Sequence, residues 1–226
     1  MSTPVIDAVL FDLFETLITE SGTVTQRASA LAARLRVDHE AYRHLWRFRR
    51  SDIVLGRSSF SDVLSWIATR LGTSPDEKLV EQLRSERLAE KAAVLHTVEP
   101  DVLATLATLR TKRLGLAVVT NCFAEDVASW EGSPLRPYFD VTVFSCTAGL
   151  AKPDPEIYLR ACRELDVAPD RALYVGDGGD DELAGARRAG LSTCRALWFL
   201  SRWPHVVLRP EDPGLWHVAD VVNAAA

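Results

Sequence analysis

From Pro100 onward the chain alternates short apolar runs with amphipathic helical stretches, and this alternation constrains the fold more than any other feature. Residues 114–120, 140–145, 172–176 and 193–198 read as strands, and residues 155–165 and 181–189 as helices between them. Val102, Leu103, Leu106 and Leu109 place one more helix ahead of the first of these strands, with Pro100 in its first turn. Asp154-Pro155 reads as an N-cap followed by a proline at the first helical position, and Gly190 as a helix stop. Strands separated by helices line up in parallel, with helices covering both faces of the sheet. A further apolar run at residues 5–11 predicts a strand near the N-terminus.

Between that run and Pro100 nothing resembles a strand. Val24, Ala28, Leu31 and Leu35 recur at helical spacing, as do Val63, Leu64, Ile67 and Leu71, and Gly72-Thr73-Ser74-Pro75 ends one helix before the next. The expectation is an α/β core of residues 1–20 and 96–226, carrying an all-helical insertion at 21–95. A chain of 226 residues, 47% hydrophobic and 25% charged, is long enough to build such a core and is neither disordered nor a rod. Its net charge of −5 lacks the basic footprint of a duplex binder, so no nucleic-acid partner is expected. Arg43, Arg47, Arg49 and Arg50 cluster on one helix, which reads as a solvated face or a small-anion contact.

The four cysteines, Cys122, Cys146, Cys162 and Cys194, form no closely spaced pair and do not read as a zinc site. Cys146 and Cys194 fall in predicted strands and Cys162 in a helix, as small buried residues. The five histidines show no ligand spacing, and Trp198, Trp203 and Trp216 read as packing. With no signal-peptide pattern and no apolar run near the roughly 20 residues that span a bilayer, the chain is expected to be cytoplasmic and to have no membrane partner.

In parallel sheets of this kind ligands bind beyond the carboxyl ends of the strands. Asp12 ends the first predicted strand, Thr120-Asn121 the second, Lys152-Pro153 follows the third, and Gly176-Asp177-Gly178-Gly179-Asp180-Asp181-Glu182 follows the fourth. Singly, each has a plain structural reading: a turn residue, a helix cap, a surface lysine and a helix N-terminus. Together they bring a carboxylate, a hydroxyl, an ammonium and an acidic loop to one sheet edge.

That set suits displacement by a carboxylate. Asp12 would attack an electrophile and form a covalent intermediate that water later cleaves. A carboxylate approaching an anionic phosphoryl group needs positive charge, which a hard divalent ion on oxygen ligands supplies, magnesium above others. Asp12 and Asp177 would share the ion, Lys152 would neutralise nucleophile and phosphoryl oxygens, and Thr120 would bind those oxygens.

Four segments in this order, Phe11-Asp12-Leu13-Phe14-Glu15-Thr16-Leu17, Val119-Thr120-Asn121, Lys152-Pro153-Asp154-Pro155 and Val175-Gly176-Asp177, resemble the four motifs of the haloacid dehalogenase-like hydrolase superfamily. The resemblance implies a Rossmann-like parallel-sheet core, a helical cap over the site, Asp12 as nucleophile with Thr120 and Lys152 beside it, and substrate contacts from Thr16 and Asn121. It implies magnesium held by Asp12, the Phe14 carbonyl and Asp177, with Asp181 or Glu182 as the last acidic residue. Cap arginines such as Arg43, Arg47, Arg50 and Arg57 would contact an anionic substrate or face water.

Two departures shape the reading. The family's phosphatases carry a second Asp two residues after the nucleophile, as general acid and base. Here that position is Phe14, which cannot transfer a proton, and Glu15, one residue further, is expected to point elsewhere. The family's dehalogenases also lack that Asp, but they replace the acidic fourth motif that this chain keeps. The expected function is a magnesium-dependent phosphatase acting on a small phosphorylated metabolite through an aspartyl-phosphate. The alternatives are a 2-haloacid dehalogenase, or a weakly or non-catalytic protein that binds a ligand or partner, with monomer or homodimer open.

Overall fold

The computed structural model describes residues 5–22, 28–209 and 212–226. Five parallel strands, β1 (Ala8–Phe11), β2 (Gly115–Thr120), β3 (Val141–Phe144), β4 (Ala172–Gly176) and β5 (Ser192–Arg195), form one sheet in the spatial order β3-β2-β1-β4-β5. Helices α1 (Ala28–Leu35), α2 (His39–Val54), α3 (Phe60–Arg70) and α4 (Glu77–His96) lie between β1 and β2 in sequence. They are followed by α5 (Pro100–Thr111), α6 (Ala124–Val127), α7 (Ser145–Ala148), α8 (Pro155–Leu165), α9 (Glu182–Arg188) and α10 (Val221–Ala224). This is an α/β, Rossmann-like fold.

The two-residue period of the strands sorts the core into two layers. Val9, Phe11, Leu116, Val118, Leu173 and Val175 face one side and pack with Leu106 and Leu109 of α5. Ala8, Leu10, Ala117, Val119, Ala172 and Tyr174 face the other and pack with Ile157, Tyr158 and Ala161 of α8 and Ala186 of α9. Strands buried on both faces need the unbroken apolar runs that the sequence displays.

The helices between β1 and β2 hold their own apolar cluster. Phe60, Val63, Leu64, Ile67 and Ala68 form one fully buried stripe along α3. Ser59 starts that helix by a reciprocal cap: its hydroxyl accepts from the Asp62 N–H (3.0 Å), and the Asp62 carboxylate accepts from the Ser59 N–H (3.1 Å). Phe123, on the loop after β2, joins this cluster and packs edge-on against Trp46.

Several boundaries differ from the sequence reading. The first strand begins at Ala8 instead of residue 5, and Val5 is exposed. The ladder needs partners on both sides, and these begin at Asp7, whose N–H bonds to Arg171 O and whose carbonyl accepts from Gly115 N. The last strand ends at Arg195 instead of residue 198, because the chain turns at Ala196 to pair with Leu215. Cys146 is in α7 and only half buried, not in a strand, since β3 stops at Phe144. Val24 lies outside the described residues.

Candidate active site

β1 is the central strand, with β2 and β4 on either side, and the chain crosses over in opposite directions from it. Phe11 lies between Val118 and Val175, so Asp12 emerges where the two crossovers diverge. The Asp12 N–H still bonds to Val175 O at 2.9 Å, which fixes the residue to the sheet.

Lys152 reaches this point from the loop after α7. Its Nζ donates to Asp12 Oδ1 (2.7 Å), Glu182 Oε2 (2.5 Å) and the Tyr174 hydroxyl (3.1 Å). The backbone of Lys152 is clamped by one side chain: Asn121 Oδ1 accepts from its N–H (2.8 Å), and Asn121 Nδ2 donates to its carbonyl (3.0 Å). Glu182 opens α9 with both oxygens engaged, one taking Lys152 and Tyr174 (2.6 Å), the other the Gly178 N–H (2.8 Å). A Cβ on Gly176 would lie 2.2 Å from Glu182 Oε1, which is why the residue before Asp177 is glycine. Asp177 accepts from the Gly179 N–H (2.9 Å), and Asp12, Asp177 and Glu182 each present an oxygen within 4.8 Å of the others.

Three carboxylates therefore stand around one ammonium, and two of them, Asp12 and Glu182, pair with it. Burial drives the Asp12 carboxyl up to about 7 against the opposing pull of Lys152. Burial likewise raises Asp177 to about 6, against the hydrogen bond from Gly179. Burial alone would lower the Lys152 pKa, but Asp12 and Glu182 outweigh it and hold the ammonium charged. An all-oxygen, net-negative donor set of this kind fits a hard divalent cation such as magnesium.

A cavity of about 440 Å³ opens above the trio, lined by Asp12, Thr120, Lys152, Asp177 and Glu182 at its floor. Thr120 Oγ1 is buried there without a hydrogen-bond partner in the protein, as is Thr16 Oγ1 nearby in sequence to Asp12. Phe14 lines the wall, with Lys91 Nζ of α4 at 4.8 Å from its ring centroid. Lys91 is ion-paired to Glu20 and lies 3.8 Å from Asp126, which also takes Arg87 at 2.5 Å. Arg87 in turn stacks on Phe123 (4.6 Å) and Phe60 (5.1 Å).

Other residues singled out from sequence fall at varying distances from this floor. Asp181 is exposed and pairs with Arg188 (3.7 Å), outside the carboxylate trio; it and Asp180 both adopt left-handed backbone, which turns the chain into α9. Arg47 lines a smaller side cavity of about 280 Å³ and donates to the Arg43 carbonyl. Arg50, three residues on, lines both cavities and meets Asp180 at 3.3 Å. Glu15 has its carboxylate taken by Thr19 Oγ1 (2.8 Å), Glu20 N (2.7 Å) and Trp203 Nε1 (2.7 Å). Trp198 Nε1 donates to the Thr16 carbonyl (2.9 Å), so the indoles read as packing also tether the turn after Asp12.

Sequence reasoning passed over Tyr174, Arg87 and Lys91, and named Asp180 only as part of the acidic loop. Tyr174 left a signal, because a tyrosine in a strand buried on both faces must find a partner for its hydroxyl. Arg87 and Lys91 left none, since a charged residue on a long helix usually faces water.

A family model of haloacid dehalogenase-like hydrolases matches residues 6–190, and the chain belongs to that hydrolase family. It is 33% identical to the glyceraldehyde 3-phosphate phosphatase of Methanopyrus kandleri, over 84% of this chain and 83% of that protein. It is 32% identical to the N-acetylmuramic acid 6-phosphate phosphatase of Pseudomonas aeruginosa, over 95% of this chain and 89% of that protein. Among solved structures, a 2-haloacid dehalogenase from Pseudomonas syringae pv. Tomato DC3000 superposes with a TM-score of 0.63 at 25% identity, over 97% of this chain and 98% of that one. Among the described residues no helix is long and apolar enough to cross a membrane.

Proposed function

We propose that this hydrolase is a magnesium-dependent phosphatase acting on a small phosphorylated metabolite, with Asp12 as nucleophile and Phe14 in place of the usual acid. The observation that carries this reading is the trio Asp12, Asp177 and Glu182 at one sheet edge, two of which pair with the ammonium of Lys152. Such an excess of negative charge calls for a cation, whereas a dehalogenase has no use for one. Two relatives bearing phosphatase names, each matched over more than four-fifths of this chain, point the same way.

Asp12 and Asp177, with the Phe14 carbonyl, would hold magnesium, and Glu182 stands behind them anchored to Lys152, Tyr174 and Gly178. Bound there, the ion would draw negative charge off the phosphoryl oxygens. An Asp12 carboxylate oxygen attacks phosphorus, and the bond to the leaving oxygen breaks as the aspartyl-phosphate forms. Lys152 stays on Asp12 Oδ1 and balances charge on both partners. The unpartnered hydroxyl of Thr120 is free to donate to a phosphoryl oxygen. Water then cleaves the acyl phosphate, releasing orthophosphate and restoring Asp12. Phe14 has no proton to give, and the carboxylate of Glu15 is held by three donors. The leaving group must depart unaided, which favours aryl and acyl phosphates. Residues 21–95 act as a cap over the core of 1–20 and 96–226, with Arg50 and Arg47 toward the substrate's anionic end and Asn121 and Thr16 supporting the phosphoryl site.

A dehalogenase reading draws support from Phe14 and from the haloacid dehalogenase of similar structure. There Asp12 would attack carbon, and halide would leave as an anion without a proton. Phosphate release from aryl and alkyl phosphates, with and without magnesium, run beside halide release from 2-haloacids, separates the two. Magnesium-dependent phosphate release that Asp12→Asn abolishes is the expected result. Halide release indifferent to magnesium would transfer the function to the second reading, and neither product from a folded protein would leave a binding role.

A further inference from the structure

Two strand-end loops beside the site carry the thiols of Cys122 and Cys146, 3.8 Å apart. The cysteines come from different loops, one just after β2 and the other in α7, and a single hydroxyl ties the two loops together. Ser145 Oγ accepts from the Cys122 N–H (3.0 Å) and donates to the Cys122 carbonyl (3.3 Å). Cys122 is buried and Cys146 half-exposed. A disulfide needs the sulfurs at about 2.05 Å, a closure within the reach of side-chain rotation when the backbones are already braced together. We propose that Cys146 and Cys122 are an oxidisable dithiol, a covalent modification site for small-molecule disulfides.

The asymmetry of the pair assigns the steps. Cys146 is the accessible thiol, and the hydrogen bond from Cys122 lowers its pKa; the same contact, with burial second, raises Cys122 well above the ordinary thiol value. The Cys146 thiolate attacks one sulfur of a disulfide RSSR, forming a mixed disulfide and expelling RS⁻. Cys122 then loses its proton and attacks the Cys146 sulfur, expelling the second RS⁻. Two protein thiols are oxidised to one disulfide, and one RSSR is reduced to two RSH. An exposed attacking thiol beside a buried resolving one is the arrangement that limits such oxidation to a reversible disulfide.

The pair is placed where its state reaches the chemistry. Cys122 follows Asn121, whose amide clamps the backbone of Lys152 and bonds to Asp180 (2.9 Å). On the other side, Gly56 in the loop after α2 lies so close that a Cβ there would be 2.0 Å from the Cys146 carbonyl oxygen. The pair therefore sits between the clamp of Lys152 and the seat of the helical layer.

The test is oxidation of the whole protein with oxidised glutathione, read by mass. Glutamyl endopeptidase cuts at Glu125 and Glu131, between the two cysteines, so a disulfide appears as a linked pair of peptides that a dithiol separates. The expected result is a Cys122–Cys146 link in the wild type, a glutathione adduct held on Cys146 in Cys122→Ser, and no adduct at Cys122 in Cys146→Ser. Links through Cys162 or Cys194, or adducts on Cys146 that never resolve in the wild type, would overturn the proposal. Because the readout is mass, its failure is distinct from failure of the phosphatase reading.

Discussion

The sheet edge and helix α2, in the layer above it, hold charge in opposite ways. At the edge, Lys152 and Glu182 are 3% and 1% exposed and are aimed by main-chain geometry at strand and helix ends. On α2, Arg50 is 43% exposed and reaches out to Asp180, 39% exposed in the loop after β4. Buried charges cannot be left without partners, so the edge is locked into one arrangement. Exposed pairs contribute little, so the layer can exchange its partners for a substrate's groups. On the proposed function, the reaction would belong to the first region and selection of the substrate to the second.

The comparison breaks first at Asp12. Asp12→Asn should lower phosphate release from p-nitrophenyl phosphate on the order of 10⁶-fold, the scale on which loss of a nucleophile acts. Its melting temperature should not fall, because the substitution removes a carboxylate that burial disfavours. A next, smaller effect lies in the missing acid at Phe14. Aryl phosphates should be hydrolysed about 10²–10⁴-fold faster than alkyl phosphates in single-turnover measurements, the range general acid catalysis normally supplies. Equal rates would mean that another residue delivers the proton.

Lys152→Met removes the ammonium and leaves the carboxylates, and kcat should fall roughly 10²–10³-fold, as for loss of one electrostatic donor. Breaking the buried pair should also cost about 3–5 kcal/mol in denaturant unfolding.

Proton competition gives the fourth effect. Asp12 and Asp177 are raised from 3.8 to about 7 and about 6 in the folded protein, so the native state binds more protons than the unfolded one over that interval. The site's contribution to metal-free stability therefore declines as pH rises from about 4 to about 7. Magnesium must displace those protons, and calorimetry should find affinity at pH 5.5 at least about tenfold weaker than at pH 8. The smallest effect belongs to the layer. Arg50→Ala should cost no more than about 1 kcal/mol of stability while raising KM for an anionic substrate several-fold with kcat held. A fall in kcat instead would tie Arg50 to the edge and blur the division between the regions.

Much of the sheet edge is legible in the sequence, for a physical reason. A strand in a parallel sheet has one carboxyl end, so Asp12, Thr120 and Asp177 are brought to one place by the order of the strands alone. Unbroken apolar runs such as Ala117–Val119 announce burial on both faces, and the absence of such runs between residues 28 and 96 matches the helices found there.

What the chain's local pattern could not carry is whatever depends on a second segment. The choice between Asp181 and Glu182 rests on two left-handed residues that turn Asp181 to solvent and bring Glu182 under Lys152. The limits of the first and last strands rest on where their neighbours begin and end. The bonds of Trp198 and Trp203 to residues 16 and 15 span more than 180 positions, and no periodicity records them. Residue types and their spacing determined which groups stand at the strand ends, because backbone geometry is local and periodic. Only the tertiary structure decided which of them meet, because pairing of buried charges and closure of long loops depend on every element packed around them.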